Sequence, residues 1–340
     1  MNVLGVDHLE FYVGDARQTA YFLCTAFGFR VRGQGGPQTG LTDQRSLLLR
    51  HGDIHIVLTS GLTSRHPATE YVGRHGDGVA VIGMGVEDFE PHHAPVHHDK
   101  AAFAMVNGFG DVMHRLVQRY DDKEVWLPGI EPVADSDPDD GLLQVIDHLA
   151  ICVPSGDLAT TSRFYQEAFG FNEIFEEYIE VGGQGMDSKV VQSPSREVTL
   201  TLIEPDPAKR PGQIDDFLQW HAGAGVQHVA FRTDDIIRAV STFSDRGIGF
   251  LSTPGSYYDA LALTETEIPV EQLRRHAVLV DQDHWGRMYQ IFTQSMHIRR
   301  TLFLELIERH GALTFGSSNI KALYEAKERE LAMATGEKNA

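Results

Sequence analysis

VDHLEFYVGDARQTAYFLCTAFGF, from Val6 to Phe29, recurs as IDHLAICVPSGDLATTSRFYQEAFGF, from Ile146 to Phe171. Each copy alternates as a short strand, passes a polar turn, and continues as an amphipathic helix that stops at Ala-Phe-Gly-Phe. Working outward, GDGVAVIGMGVEDF from Gly76 matches GAGVQHVAFRTDDI from Gly223. A third pair sets GFGDVMHRLVQR from Gly108 against DHWGRMYQIFTQ from Asp283. The order is the same in both halves, so a duplicated domain is the economical explanation. The join is PGIEPVADSDPDDG, from Pro128 to Gly141, a polar, acidic, proline-containing stretch. The expectation is an α+β chain of two similar units, 1–135 and 142–340. Each unit has a βαβββ rhythm, with short Val-, Ile- and Phe-rich strands in a curved, mostly antiparallel sheet.

The tail departs from this pattern. SNIKALYEAKERELAM, from Ser318 to Met333, places Ile320, Leu323 and Tyr324 at helical spacing, and predicts a C-terminal helix over about 318–335. Packing against the sheet and acting as a lid are equally open roles for it.

At 340 residues the chain is long for one core, which agrees with two domains. The net charge of -19 argues against nucleic acid or an anionic membrane as partner. No run of about 18 apolar residues is present, so no membrane span is expected. MNVLGVDHLEFYV lacks a basic segment ahead of an apolar one, and the two cysteines, Cys24 and Cys152, lie in different halves. A cytoplasmic protein without disulfides is the expectation.

The duplication supplies an internal control. His8 and His148 occupy the same place in VDHL and IDHL, but His228 in GVQHVAF aligns with Val81 in GVAVIGM. A polar ring in so apolar a strand costs a few kcal/mol (about 1–3 from mutational data) unless it has a partner. Glu305 in TLFLELIER presents the same problem, since Phe303 and Ile307 share its face. Two histidines and one carboxylate on separate strands suit the facial triad of non-haem Fe(II) oxygenases, which leaves positions open for substrate and O₂. Spacing alone does not separate this triad from satisfied core histidines and a solvent-facing Glu. His92, His93, His97 and His98 cluster in HHAPVHH around Pro95, a solvated loop.

IDHLAICV, GAGVQHVAF, YQIFT, LFLELIER and FGSSNIKALYEA, in this order, resemble the 4-hydroxyphenylpyruvate dioxygenase family. The resemblance covers nearly the whole chain and is strongest from Ile146 to Ala326. It implies the vicinal oxygen chelate fold, with two βαβββ modules per domain and one iron in the C-terminal domain. It also implies His148, His228 and Glu305 as the ligands of Fe(II), with O₂ as co-substrate. The substrate would be a 2-oxo acid that chelates the metal, its decarboxylation supplying two electrons, so no nicotinamide or flavin is required. By the same resemblance Gln213, Gln227 and Gln290 line or support the substrate site, with plain hydrogen bonding the alternative, most of all for Gln227. Phe292, Phe315 and Asn319 belong to the implied pocket, and a homodimer whose metal-free N-terminal half supports the fold or the interface is expected.

Two local departures bear on which reaction the family chemistry completes. Where the ring-hydroxylating members carry Pro-x-Asn before Glu-Pro, this chain reads TLTLIEP, with Thr201 and Ile203. Where they read Phe-Gly-x-Gly-Asn-Phe, it reads Phe315-Gly316-Ser317-Ser318-Asn319-Ile320. Both match the branch that attacks the benzylic carbon to give 4-hydroxymandelate rather than homogentisate. In that reading Ser188, Thr201 and Gln213 meet the phenol hydroxyl, and Thr201, Ile203 and Ile320 set the ring position. A shift of about 1 Å is enough to redirect such a reaction.

Overall fold

The computed structural model describes residues 1–120, 126–134, 137–261, 266–313 and 319. The first sheet takes β1 Val3–Tyr12, β2 Arg30–Gly35, β3 Gln44–His51, β4 Ile54–Gly61, β5 Gly78–Val86, β6 Val96–His97, β7 Ala101–Asn107, β8 Met113–Arg119 and β9 Ile130–Pro132. The second takes β10 Ile146–Cys152, β11 Asn172–Val181, β12 Gln184–Gln192, β13 Thr199–Pro205, β14 Gly225–Arg232, β15 Leu279–Gln282, β16 Arg287–Phe292 and β17 Phe303–His310. Helices α1 Ala16–Phe27, α2 Pro67–His75, α3 Leu158–Phe169, α4 Gln213–His221, α5 Ile236–Asp245, α6 Gly255–Leu261 and α7 Val270–Arg275 connect them.

The orders are β6-β7-β8-β5-β1-β4-β3-β2-β9 and β11-β12-β13-β10-β14-β17-β16-β15. Read from opposite ends, and with β9 set aside as an extra edge strand, they are the same order, with the first strands of the two modules, β1 with β5 and β10 with β14, paired antiparallel at the centre. The first module of each half is β-α-β-β-β, and so is the second module of the C-terminal half if α6 and α7 are counted as additions. In the N-terminal half residues 87–95 run from β5 to β6 as a loop, where Pro91 and Pro95 interrupt helical hydrogen bonding.

The repeated Ala-Phe-Gly-Phe stop has one physical cause. Gly28 and Gly170 cap α1 and α3 in the left-handed region, at φ 74° and 68°. At Gly28 a Cβ would also lie 2.4 Å from Asp140 Oδ2. Asp140 belongs to the acidic join, which is no free tether. Residues 130–132 of the join form β9 on the edge of the first sheet, and Asp140 meets His51 at 3.1 Å and Arg246 at 2.6 Å. One apolar core runs through both halves, from Leu9 and Phe29 to Phe231 and Leu306. The opposite faces of the strands line the interiors of the half-barrels.

The third sequence pair is corrected by this topology. β8 holds in the first sheet the place of β17 in the second, not of β16: Val81 pairs with Met113 as His228 pairs with Phe303. MHRLVQR and MYQIFTQ share a period of two, which every strand of a half-barrel has; only hydrogen-bonded pairing distinguishes neighbours. The counterpart of Met113–Arg119 is therefore FLELIER, Phe303 to Arg309, which sets Arg115 opposite Glu305 and Arg119 opposite Arg309.

The tail helix expected over 318–335, with Phe315 and Ile320, lies outside the described residues. Asn319 is described: it is buried in helical conformation and accepts a 3.4 Å hydrogen bond from the Tyr257 hydroxyl. Among the described residues no helix is long and apolar enough to cross a membrane.

Candidate metal centre

Three adjacent strands supply the centre. His148 is on β10, His228 on the antiparallel β14 beside it, and Glu305 on β17, parallel to β14. His148 and Glu305 both pair with Ala230 in register, so both project from one face on either side of that alanine. His228, two residues before Ala230, shares that face by the alternation of the strand. Ala150 pairs with His228 but Ile151 pairs with Val226, which leaves Gln227 as the extra residue. Val226 joins the main core with Ile151, while Ala150 lines the interior with Cys152 and Ile203. Without the bulge, residues 226 and 228 would face the same way.

One ligand atom from each residue lies within 4.8 Å of the other two, and all three residues are buried. Glu305 Oε2 is 3.3 Å from His148 Nε2 and 3.3 Å from His228 Nε2, and the residue is 2% exposed. Donors about 2.1 Å from a common ion stand roughly 3.0–3.4 Å apart on neighbouring vertices, whether the site is octahedral or tetrahedral. The donor set therefore fits a divalent transition metal, and two imidazoles with one carboxylate suit iron.

The second layer was not singled out from the sequence. Asp147 Oδ1 accepts from His148 Nδ1 at 3.0 Å, which turns Nε2 toward the carboxylate. Arg309 clamps Asp147 with two hydrogen bonds of 2.8 Å and donates at 3.2 Å to Ala312 carbonyl. Burial alone would raise the Asp147 carboxyl; the Arg309 and His148 hydrogen bonds hold it well below the usual carboxylate range. Burial likewise opposes a charged His148, but Glu305 and Asp147 together push it up to about 9. The Phe303 ring lies stacked 4.9 Å from His228, and Phe292 approaches edge-on at 5.9 Å. The legible sign of this layer is the aspartate of IDHL with the arginine that ends LELIER.

The residues expected to line a pocket fall in two groups. Ser188 pairs with Ile203, and Thr201 with Ala150 and Val190, on the interior face of β10, β12 and β13. Thr201 Oγ1 is buried with no partner among the described residues, whereas the Ser188 hydroxyl donates to Glu177 carbonyl at 3.1 Å. Gln213 opens α4, which lays Ile214 and Phe217 against Ile203. On the other side Gln290 and Phe292 share a face of β16, where Phe292 pairs with Glu305. Gln227 and Gln290 are buried; Phe315 and Ile320 are not described.

The chain matches the Glyoxalase/Bleomycin resistance protein/Dioxygenase superfamily over residues 5–118 and 145–265. A probable 4-hydroxyphenylpyruvate dioxygenase 2 of Aspergillus fumigatus is 32% identical over 97% of this chain and 94% of that protein. A 4-hydroxyphenylpyruvate dioxygenase of Xenopus tropicalis is 32% identical, covering 96% and 91%. A solved structure of a triple mutant of 4-hydroxymandelate synthase from Streptomyces coelicolor superposes with a TM-score of 0.89 at 42% identity, covering 97% of this chain and 99% of that one. With its paired half-barrels and its buried two-histidine, one-carboxylate centre, the chain belongs to this superfamily, and within it to the 4-hydroxyphenylpyruvate dioxygenase family.

Proposed function

We propose that the chain converts 4-hydroxyphenylpyruvate and O₂ to 4-hydroxymandelate and CO₂, using Fe(II) held by His148, His228 and Glu305. The observation that carries this reading is the buried triad in a chain 42% identical, over nearly its whole length, to a 4-hydroxymandelate synthase. Bound Fe(II) supplies a template for the oxo acid and O₂ and the redox chemistry of decarboxylation and hydroxylation. The protein's own residues hold and orient. His148, His228 and Glu305 would hold the metal from one side of the pocket. Asp147 fixes the tautomer of His148, and the Phe303 and Phe292 rings wall off His228. Gln290, Gln227 and Gln213 are placed to hydrogen-bond the substrate. The unpartnered Thr201 hydroxyl suits the phenol end, with Ser188, Ile203, Asn319 and Ile320 shaping the pocket around the ring.

The charges support an anionic substrate. The centre carries the carboxylates of Asp147 and Glu305 against the single guanidinium of Arg309, so a divalent ion leaves it positive. The other family reaction, giving homogentisate, uses the same metal site and is the reading that the 32%-identical relatives favour. Protein loaded anaerobically with Fe(II) and mixed with 4-hydroxyphenylpyruvate and O₂ should give 4-hydroxymandelate by mass and retention. Homogentisate as main product would overturn the branch and keep the metal site.

A further inference from the structure

The N-terminal half contains a second buried polar centre. His8 stands where His148 stands, Val81 where His228 stands and Arg115 where Glu305 stands, each fixed by strand register. The surrounding clamp is duplicated. Asp7 Oδ1 accepts from His8 Nδ1 at 2.6 Å, and Arg119 grips Asp7 with two hydrogen bonds of 2.6 and 2.7 Å, as Arg309 grips Asp147. Even the bulge recurs: Glu10 pairs with Val81 and Phe11 with Val79, which leaves Ala80 as the extra residue.

The difference lies at the centre. Arg115 Nη1 is 2.9 Å from His8 Nε2, the nitrogen that in the other half faces Glu305. A guanidinium only donates, so His8 Nε2 accepts and Nδ1–H donates to Asp7. Burial favours the neutral ring that this requires. His8 thus presents to Arg115 the lone pair that His148 is placed to present to a metal. The other Arg115 nitrogen meets Glu10 Oε2 at 2.8 Å, and Glu10 Oε1 accepts from Thr59 at 2.6 Å. Glu10 is 5% exposed and takes the place of Ala150, so the half supplies its own carboxylate where the other has a methyl group. The approach is close: a Cβ on Gly83 would lie 2.5 Å from His8 Nδ1, and Ala230 stands at the matching place in the other half.

We propose that the Arg115 guanidinium is the resident cation of the N-terminal half, filling the place of a metal ion, and that this half is a latent divalent-metal site closed by that guanidinium. The inference rests on the metal reading of the other half, and the controls keep the two separate. Two carboxylates, Asp7 and Glu10, face two guanidiniums, Arg115 and Arg119, so this centre is neutral and has no call for an ion.

Cobalt(II), whose visible bands report its coordination, is the probe, measured with elemental analysis. The natural chain should bind one ion and Glu305→Ala none; a natural chain that bound none would sink the metal reading itself. Adding Arg115→Glu, Val81→His and Glu10→Ala to Glu305→Ala should restore one ion per chain. A folded quadruple variant, judged by circular dichroism, that binds none overturns the latent site. Stability tests the resident cation without requiring that variant to fold. Arg115→Met should lower Tm by roughly 10 °C, because it strands a buried carboxylate. Arg115→Met with Glu10→Ala should recover at least half of the loss. A single variant that melts with the natural chain, or a double one no better than the single, overturns the proposal.

Discussion

The two half-barrels share a frame and differ in what occupies its centre. Each holds a histidine on its first strand, oriented by the preceding aspartate, which is gripped by an arginine from the strand two places away. In the N-terminal half a guanidinium and an extra carboxylate complete the set; in the C-terminal half a second histidine and a carboxylate converge and call for an ion. The comparison teaches that the aspartate–arginine clamp belongs to the fold, since it is present with and without a metal donor set. What makes a site is the exchange of a few residues on β10, β14 and β17 inside an unchanged frame.

The sharpest way to break the comparison is Glu305→Ala. Metal content by elemental analysis should fall to background, and O₂ uptake with 4-hydroxyphenylpyruvate should drop by at least about 10³-fold. Iron retained in that variant would mean that Glu305 is not required to hold it. Next in size is the matched pair Asp147→Asn and Asp7→Asn. Each breaks a buried bidentate ion pair, so each should cost about 3–5 kcal/mol in denaturant unfolding. Only Asp147→Asn should also weaken metal binding, by roughly 10–100-fold in a chelator competition, because only His148 belongs to the proposed ligand set. An equal loss of affinity from Asp7→Asn would show the halves to be coupled rather than parallel.

A smaller difference sits one residue from Arg115. His114 is wholly buried on the outer face of β8, accepts from or donates to the Tyr165 hydroxyl at 3.1 Å, and corresponds to Leu304. Burial pushes its imidazole down to about 3, from an ordinary 6.5. Its contribution is therefore complete above pH 6.5 and is lost as pH falls toward 3, because the unfolded chain takes up a proton that the folded one refuses. Stability should decline by about 1.4 kcal/mol per pH unit from this residue through that window. His114→Leu with Tyr165→Phe should abolish that slope and leave stability at pH 7 within about 1 kcal/mol. An unchanged acid profile would assign the acid sensitivity to the half-buried His55 and the buried His221, which burial holds at about 4.

How much of the site was legible depended on what each residue had to announce. His148, His228 and Glu305 stand out because a polar group among Leu, Val and Phe in a strand is expensive unless something meets it. The duplication then marked His228 as an addition, since Val81 stands in the other copy. Arg115 and Arg119 gave no such signal from the third pair as drawn, because period-two strings cannot tell neighbouring strands apart. HRLVQR and LELIER do carry the match, with Leu116 against Leu306 and Arg119 against Arg309, but the hydrogen-bonded register of β5 with β8 is what selects it. Gln227 shows another limit. That it is the bulged residue, and so turns Val226 to the face opposite His228, follows from which residues of β10 and β14 pair.

The sequence by itself determined the duplication, the strand–helix units with their glycine stops, the polar anomalies at 148, 228 and 305, and the family. All of these are written in local pattern and in the cost of burying a polar group. The tertiary structure alone decided which strands are neighbours. Register is fixed by pairing across the sheet, and only pairing brings Glu305 to two histidines in one half and Arg115 to a histidine and a carboxylate in the other.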